Sequence, residues 1–138
     1  MQRDDAYLLD MLVAARRAAQ HATGLEPQQF ESSLLHQDAI IRELQIVGEA
    51  ASRVSDDTKR EHTEIDWNGI IGLRHRLVHD YRRIRVDVVW RVLKNEVPLL
   101  IRQLEQIVPA RRNVVRSMWG EEQYRRRPLW SARTGGTA

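Results

Sequence analysis

The sequence predicts an all-α protein, a bundle of four long helices joined by short connections and followed by a basic C-terminal tail. Apolar residues recur at three- and four-residue spacing through four long segments, which is the period of one helix face. No stretch alternates with the two-residue period of a half-buried strand. The breaks between segments are short and carry the Gly, Pro, Ser and Asp residues that stop and start helices. At 138 residues, 42% of them hydrophobic, the chain is the size of one domain and buries roughly two thirds of its unfolded surface without disulfide or metal staples. We divide it into a helical domain, residues 1–109, and a basic, partly flexible extension, residues 110–138.

The first helix is expected from about Asp4 to Ala22, with Tyr7, Leu8, Met11, Leu12, Ala15, Ala18 and Ala19 on one face and Gly24 as its stop. Pro27 suits the first turn of a second helix reaching about Val54. Its stripe is Phe30, Leu34, Ile41, Leu44, Val47, Ala51 and Val54. Gly48 falls within that stripe, where it either admits another backbone closely or is a tolerated weak point. Residues 55–66 are polar and read as a connection, closed by Asp66 as the N-cap of a third helix over about Trp67 to Asp80. After an arginine-rich bend, Asp87 is expected to cap a fourth helix from Val88 to about Val108, kinked or broken at Pro98. The apolar positions of that helix (Val88, Val89, Val92, Leu93, Val97, Leu100, Ile101, Leu104, Ile107 and Val108) cover more than half its circumference, so it is either deeply buried or dimerises. Beyond Pro109, Val114, Val115, Met118 and Trp119 are compatible with a short continuation, and residues 125–138 read as a flexible tail.

The absence of cysteine excludes disulfide scaffolds, thiolate zinc sites, iron–sulfur clusters and thiol nucleophiles together, and fits a cytoplasmic protein. The short apolar run from Met11 to Ala15 follows two aspartates and does not resemble a signal peptide. No run approaches the roughly 18 apolar residues that cross a bilayer, so no membrane association is expected. Of the 22 basic residues, 20 are arginine, and the formal net charge of +3 is strongly segregated. Residues 1–73 carry −6, residues 74–91 carry +4, residues 92–109 balance, and residues 110–138 carry +5. Two positive blocks suggest a phosphate-rich partner, with solvated arginine faces as the plainer reading.

The chemically dense stretch runs from Trp67 to Tyr81. At 100° per residue, Ile70, Ile71, Leu73, Leu77 and Val78 fall within an arc of roughly 160°, and Arg74 and Tyr81 project into it. An arginine there must pair with a carboxylate, Glu43 or Glu49 on the second helix, or face a wet cleft. Tyr81 alone would be a core tyrosine with its hydroxyl satisfied. His75 and His79 are one turn apart, the spacing of a two-point metal site. The glutamate of a zinc-protease motif and a third ligand are missing, and Arg74 and Arg76 repel cations, so no metal is assigned. Histidine with arginine suits metal-free RNA cleavage better, since histidine exchanges protons near neutrality and arginine offers planar donors to phosphate. On one regular helix Arg74 and His79 point about 140° apart, so either the helix breaks near His79 or two copies pool their residues.

The spacing Arg74-x4-His79-x-Tyr81, preceded by Trp67 and followed by Asp87-Val88-Val89-Trp90, resembles the HepT family of HEPN-domain toxins. Ile46-Val47-Gly48-Glu49-Ala50 is similar to that family's pattern as well, and the resemblance covers about residues 5–108. It implies a homodimeric HEPN-like four-helix up-and-down bundle in which the Arg and His of both protomers line a cleft that cuts RNA without a cofactor or metal. Arg74 and His79 then correspond to the catalytic pair and His75 to an auxiliary polar position. Tyr81 corresponds to the tyrosine that an MNT-type nucleotidyltransferase antitoxin modifies with AMP, which would block the cleft and cancel its charge. The expectation is therefore a toxin ribonuclease of a toxin–antitoxin pair, with Arg76, Arg82, Arg83 and Arg85 guiding RNA. The alternatives are a non-catalytic module that binds a nucleotidyltransferase or nucleic acid, and a purely structural dimeric bundle. The tail after about residue 109 is longer and more basic than the family pattern requires.

Overall fold

The computed structural model describes residues 2–79 and 84–119, with side chains over 3–79 and 84–108. All the regular structure among them is helical: α1 (Gln2–His21), α2 (Pro27–Glu31), α3 (Leu34–Arg53), α4 (Asp56–Glu61), α5 (Trp67–His79), α6 (Val86–Arg91), a π-helical turn (Val92–Glu96) and α7 (Val97–Trp119). The long helices α1, α3, α5 and α7 form the bundle, with α3 between α1 and α5 and α7 against α1. Helices α1 and α3 run antiparallel, since Asp4 reaches Ser55 just past the end of α3 while His21 faces Glu43. Helices α3 and α5 do the same, with Gly48 beside Ile70 and Arg74 and Gln45 beside Leu77.

The apolar face read for α1 is the one buried. Leu8, Met11, Leu12, Ala15 and Ala18 are sealed against Ile40, Leu44, Val47 and Ala51 of α3 and Leu104 of α7. Gly24, at φ +72°, makes the left-handed turn after α1 that a side chain would resist.

The second expected helix is two. Helix α2 stops at Glu31, and Ser33 caps α3 by accepting the His36 backbone N–H at 3.3 Å. The Gln37 side chain donates to the carbonyls of Phe30 and Glu31, both at 2.9 Å, satisfying the end of α2. The break turns Phe30 into the core, 5.2 Å from the Trp90 ring, and takes Leu34 off the buried stripe, leaving it 73% exposed. A hydrophobic count that spans two differently oriented helices cannot see this. The connection 55–66 also holds a short helix, α4. Its N-cap Ser55, first-turn Asp56 and Asp57, and last-turn Lys59 and Arg60 follow the order the helix dipole favours.

Asp87 is not the cap of the fourth helix. Helix α6 starts at Val86, two residues before the expected Val88, and Asp87 lies in its first turn, paired with Arg85 at 2.8 Å. The irregularity expected at Pro98 is the π turn that precedes it, in which Val97 N–H bonds to the carbonyl of Val92 five residues back. Proline cannot donate to the carbonyl four residues before it and its ring crowds that carbonyl, so the widened turn accommodates the residue with helical continuity kept. Seven of the ten apolar positions on this face (Val89, Leu93, Val97, Leu100, Leu104, Ile107 and Val108) are buried in the single chain, so most of its breadth serves the bundle core. The backbone of α7 continues past Pro109 to Trp119.

Candidate active site

Helix α5 carries the site, and its start is fixed at two points. Asp66 accepts the Gly69 N–H at 3.0 Å, the N-cap its position predicted, and the buried Trp67 ring donates from Nε1 to the His62 carbonyl at 2.9 Å. Its last turn is tied to α3 by the Gln45 side chain, which donates to the Leu77 carbonyl at 3.1 Å. Leu77 anchors the buried face, whereas Val78, expected there too, is 44% exposed.

Arg74 points toward α3. Its stem lies against the backbone at Gly48, where the missing side chain makes room, so the close-approach reading of that glycine holds. Its Nη2 meets Glu49 Oε2 at 2.5 Å, which decides between the two candidate carboxylates. Glu43 is instead buried against α1, 3.9 Å from His21. Glu49 also accepts from Arg53 through Oε1, at 3.2 Å from Nε and 3.0 Å from Nη2. One carboxylate therefore holds two guanidiniums. The Glu49 hydrogen bond, followed by a smaller contribution from Tyr7, pushes the Arg53 pKa above its ordinary value. The role of Arg53 was missed, although Glu49 and Arg53 have the four-residue spacing of a helical ion pair.

His75 and His79 stand on the exposed side of α5, their ring centres 4.4 Å apart and tilted by 47°. Arg76 is exposed on the same helix, and Arg85 is exposed at the start of α6 but paired with Asp87. Tyr81, Arg82 and Arg83 lie outside the described residues. Because α5 stays helical through His79, Arg74 and His79 diverge by about 140° within one chain. The structure brings together Arg74 with Glu49 and His75 with His79, and it does not bring Arg74 to either histidine.

The apolar cavity of about 250 Å³ is on the other flank of α5, lined by Leu44, Val47, Ile70, Leu73, Val97 and Leu100, and contains none of these groups. No cluster of three or more His, Asp or Glu with metal-holding geometry occurs among the described residues. No helix among them is long and apolar enough to cross a membrane.

The groups offered are an exposed imidazole pair on one side of α5 and, turned away from it toward α3, a guanidinium partly neutralised by Glu49. Several known proteins are similar to this chain. A Thermococcus cleftensis protein with ribonuclease HepT in its name is 32% identical over 101 residues, covering 73% of this chain and 92% of the relative. Two Methanocaldococcus jannaschii proteins with RNase in their names are each 28% identical, one over 75% of this chain and 85% of its own length, the other over 72% and 92%. No solved structure matches significantly. The model of the family described as ribonuclease HepT-like matches residues 11–107, from the middle of α1 into α7 and including the Arg74-x4-His79-x-Tyr81 motif, and the chain belongs to that family.

Proposed function

We propose that the chain is the toxin of a toxin–antitoxin pair, a cytoplasmic homodimeric ribonuclease that cuts RNA without a metal. The family match over residues 11–107 carries this reading. The divergence of Arg74 and His79 on α5 supports the dimer: a second copy can present its arginine to the histidines of the first, which a single chain cannot do. In the reaction His79 exchanges a proton, either removing it from the ribose 2′-hydroxyl or giving one to the leaving 5′-oxygen. The 2′-oxygen attacks the adjacent phosphorus, and the P–O5′ bond breaks as a cyclic phosphate forms. Arg74 donates to the phosphate oxygens, where charge accumulates in the transition state, and His75 assists. Arg76, Arg82, Arg83 and Arg85 guide the RNA backbone. An MNT-type nucleotidyltransferase antitoxin silences the enzyme by adding AMP to Tyr81, which places bulk and negative charge two residues from His79.

The test is cleavage of labelled RNA by the purified chain in the presence of EDTA, alongside His79→Ala and Arg74→Ala. The parent cuts, and each variant loses at least 100-fold, the order expected for removing a proton-transfer group or a transition-state donor. RNA that is bound with steep salt dependence but left intact by the parent identifies a non-catalytic binding module instead.

A further inference from the structure

Two exposed imidazoles one helical turn apart have the spacing of a chelating pair. We propose that His75 and His79 bind a divalent transition-metal cation of the zinc class, and that this binding inhibits the enzyme. The inhibitory half rests on the ribonuclease reading, whereas the binding half does not.

The geometry fits without rebuilding the helix. A zinc ion lies about 2.0–2.1 Å from each imidazole nitrogen, hence roughly 3 Å from each ring centre. With the ring centres 4.4 Å apart, a metal held by both subtends an angle of roughly 90° between them, and opening to a tetrahedral angle needs the rings to part by under about 1 Å. Histidines at this same four-residue spacing on one helix face supply two ligands in helical zinc sites. Both rings are exposed, so a small χ rotation meets no packing, and water completes the coordination shell.

The positive neighbours raised against a metal are weaker than the sequence suggests. Arg74 is turned to α3 and bonded to Glu49 at 2.5 Å, so its charge is partly compensated and its direction diverges from both histidines. Arg76, three residues before His79, does remain, but it is exposed and screened by water. A metal held on both imidazoles occupies the ring nitrogen lone pairs that proton exchange requires, so the same residues cannot then act as acid or base. Zinc is here an inhibitor and takes no part in the reaction.

The experiment is a calorimetric titration of the full chain, stripped with EDTA and dialysed, with zinc chloride, together with imidazole-nitrogen NMR spectra. One zinc per chain is expected, with the His75 and His79 signals shifting together. His75→Ala and His79→Ala each weaken binding at least tenfold, His36→Ala and His62→Ala do not, and Arg76→Gln strengthens it two- to fivefold. Both histidines are exposed, so these variants keep the core intact, which circular dichroism verifies. Unchanged binding by His75→Ala overturns the site, and saturation at half a zinc per chain overturns the single-chain chelate in favour of a metal shared between copies. In the cleavage assay, zinc inhibits the parent, EDTA restores it, and the inhibitory concentration rises at least tenfold in His75→Ala. Undiminished cleavage by zinc-saturated parent overturns the inhibition. A parent that cuts no RNA at all removes the ribonuclease reading and the inhibition with it, and the titration still decides the metal site.

Discussion

The same substitution at two glycines of the bundle should have opposite effects. At Gly48 an added Cβ would overlap the Cβ of Arg74 and sit 2.8 Å from its Cγ and 3.2 Å from the Ile70 carbonyl oxygen. Carbon atoms pack at about 3.5–4.0 Å, so α5 would have to retreat from α3 by roughly 1 Å. The atoms met are the arginine stem and a helix backbone, neither of which can swing aside. Alanine gains about 1 kcal/mol of helix propensity over glycine, and overpacking a tight contact costs about 1–3 kcal/mol. Gly48→Ala should therefore destabilise the protein by about 1–2 kcal/mol once the lengthened Gln45–Leu77 and Arg74–Glu49 contacts are included. At Gly72, exposed on the same α5, an added Cβ meets nothing within 4 Å, so Gly72→Ala keeps the propensity gain and should stabilise by up to about 1 kcal/mol. Urea denaturation of both variants measures the difference, expected at about 1–3 kcal/mol. Equal midpoints for the two variants would refute the close α3–α5 approach and with it the placement of Arg74.

Two further changes probe the scaffold around the site. Asp4 is 7% exposed and accepts from the Ser55 N–H at 3.0 Å, the Ser55 hydroxyl at 2.5 Å and the Thr58 hydroxyl at 2.7 Å, fastening α1 to the start of α4. Burial pushes its pKa up, but the hydrogen bonds outweigh burial and hold it below the ordinary 3.8. Its folded value lies below its unfolded one, so its contribution is complete above the unfolded value and is lost as pH falls through the folded one. Asp4→Asn should cost about 1.5–3 kcal/mol at neutral pH, and the gap from the parent should narrow as urea midpoints are measured below about pH 4. Asp66→Ala removes the α5 cap and should cost about 1 kcal/mol in thermal or urea unfolding, a loss Asp66→Asn largely avoids because asparagine caps as well.

The parts legible in the sequence are those where one local signal had no competitor. The buried face of α1, the Asp66 cap and the close approach at Gly48 each depend on a residue and its near neighbours, and each is where the pattern put it. The split between α2 and α3 was hidden because Phe30 and Leu34 keep helical spacing across a break, and only the tertiary demand to place Phe30 beside Trp90 reorients one against the other. Helix α4 was hidden because it is short and wholly polar by pattern, with Thr58 held by Asp4 from 54 residues away. At the site, spacing on one helix gave the divergence of Arg74 from His79, whereas choosing Glu49 over Glu43 required knowing which face of α3 meets α5. Both glutamates belong to that helix, and Glu43 turns to α1.

The bridge at Glu49 alters what the positive block around Arg74 means. Two guanidiniums and one carboxylate leave a net single positive charge, so the local field is weaker than a count of arginines implies. A phosphate, however, is bound by directed donors as well as by field, and Arg74 has five N–H groups, of which the contact with Glu49 is made through Nη2. That contact, with the stem packed at Gly48, restricts the directions open to the guanidinium and leaves its other donors available before any RNA arrives. Donors oriented in advance need no reorganisation when charge develops on the phosphate, whereas a free surface arginine must first be ordered. The ion pair is thus compatible with a catalytic arginine, and on energetic grounds it is better explained as orientation than as stability, because side chains 33% and 41% exposed gain little from pairing in water.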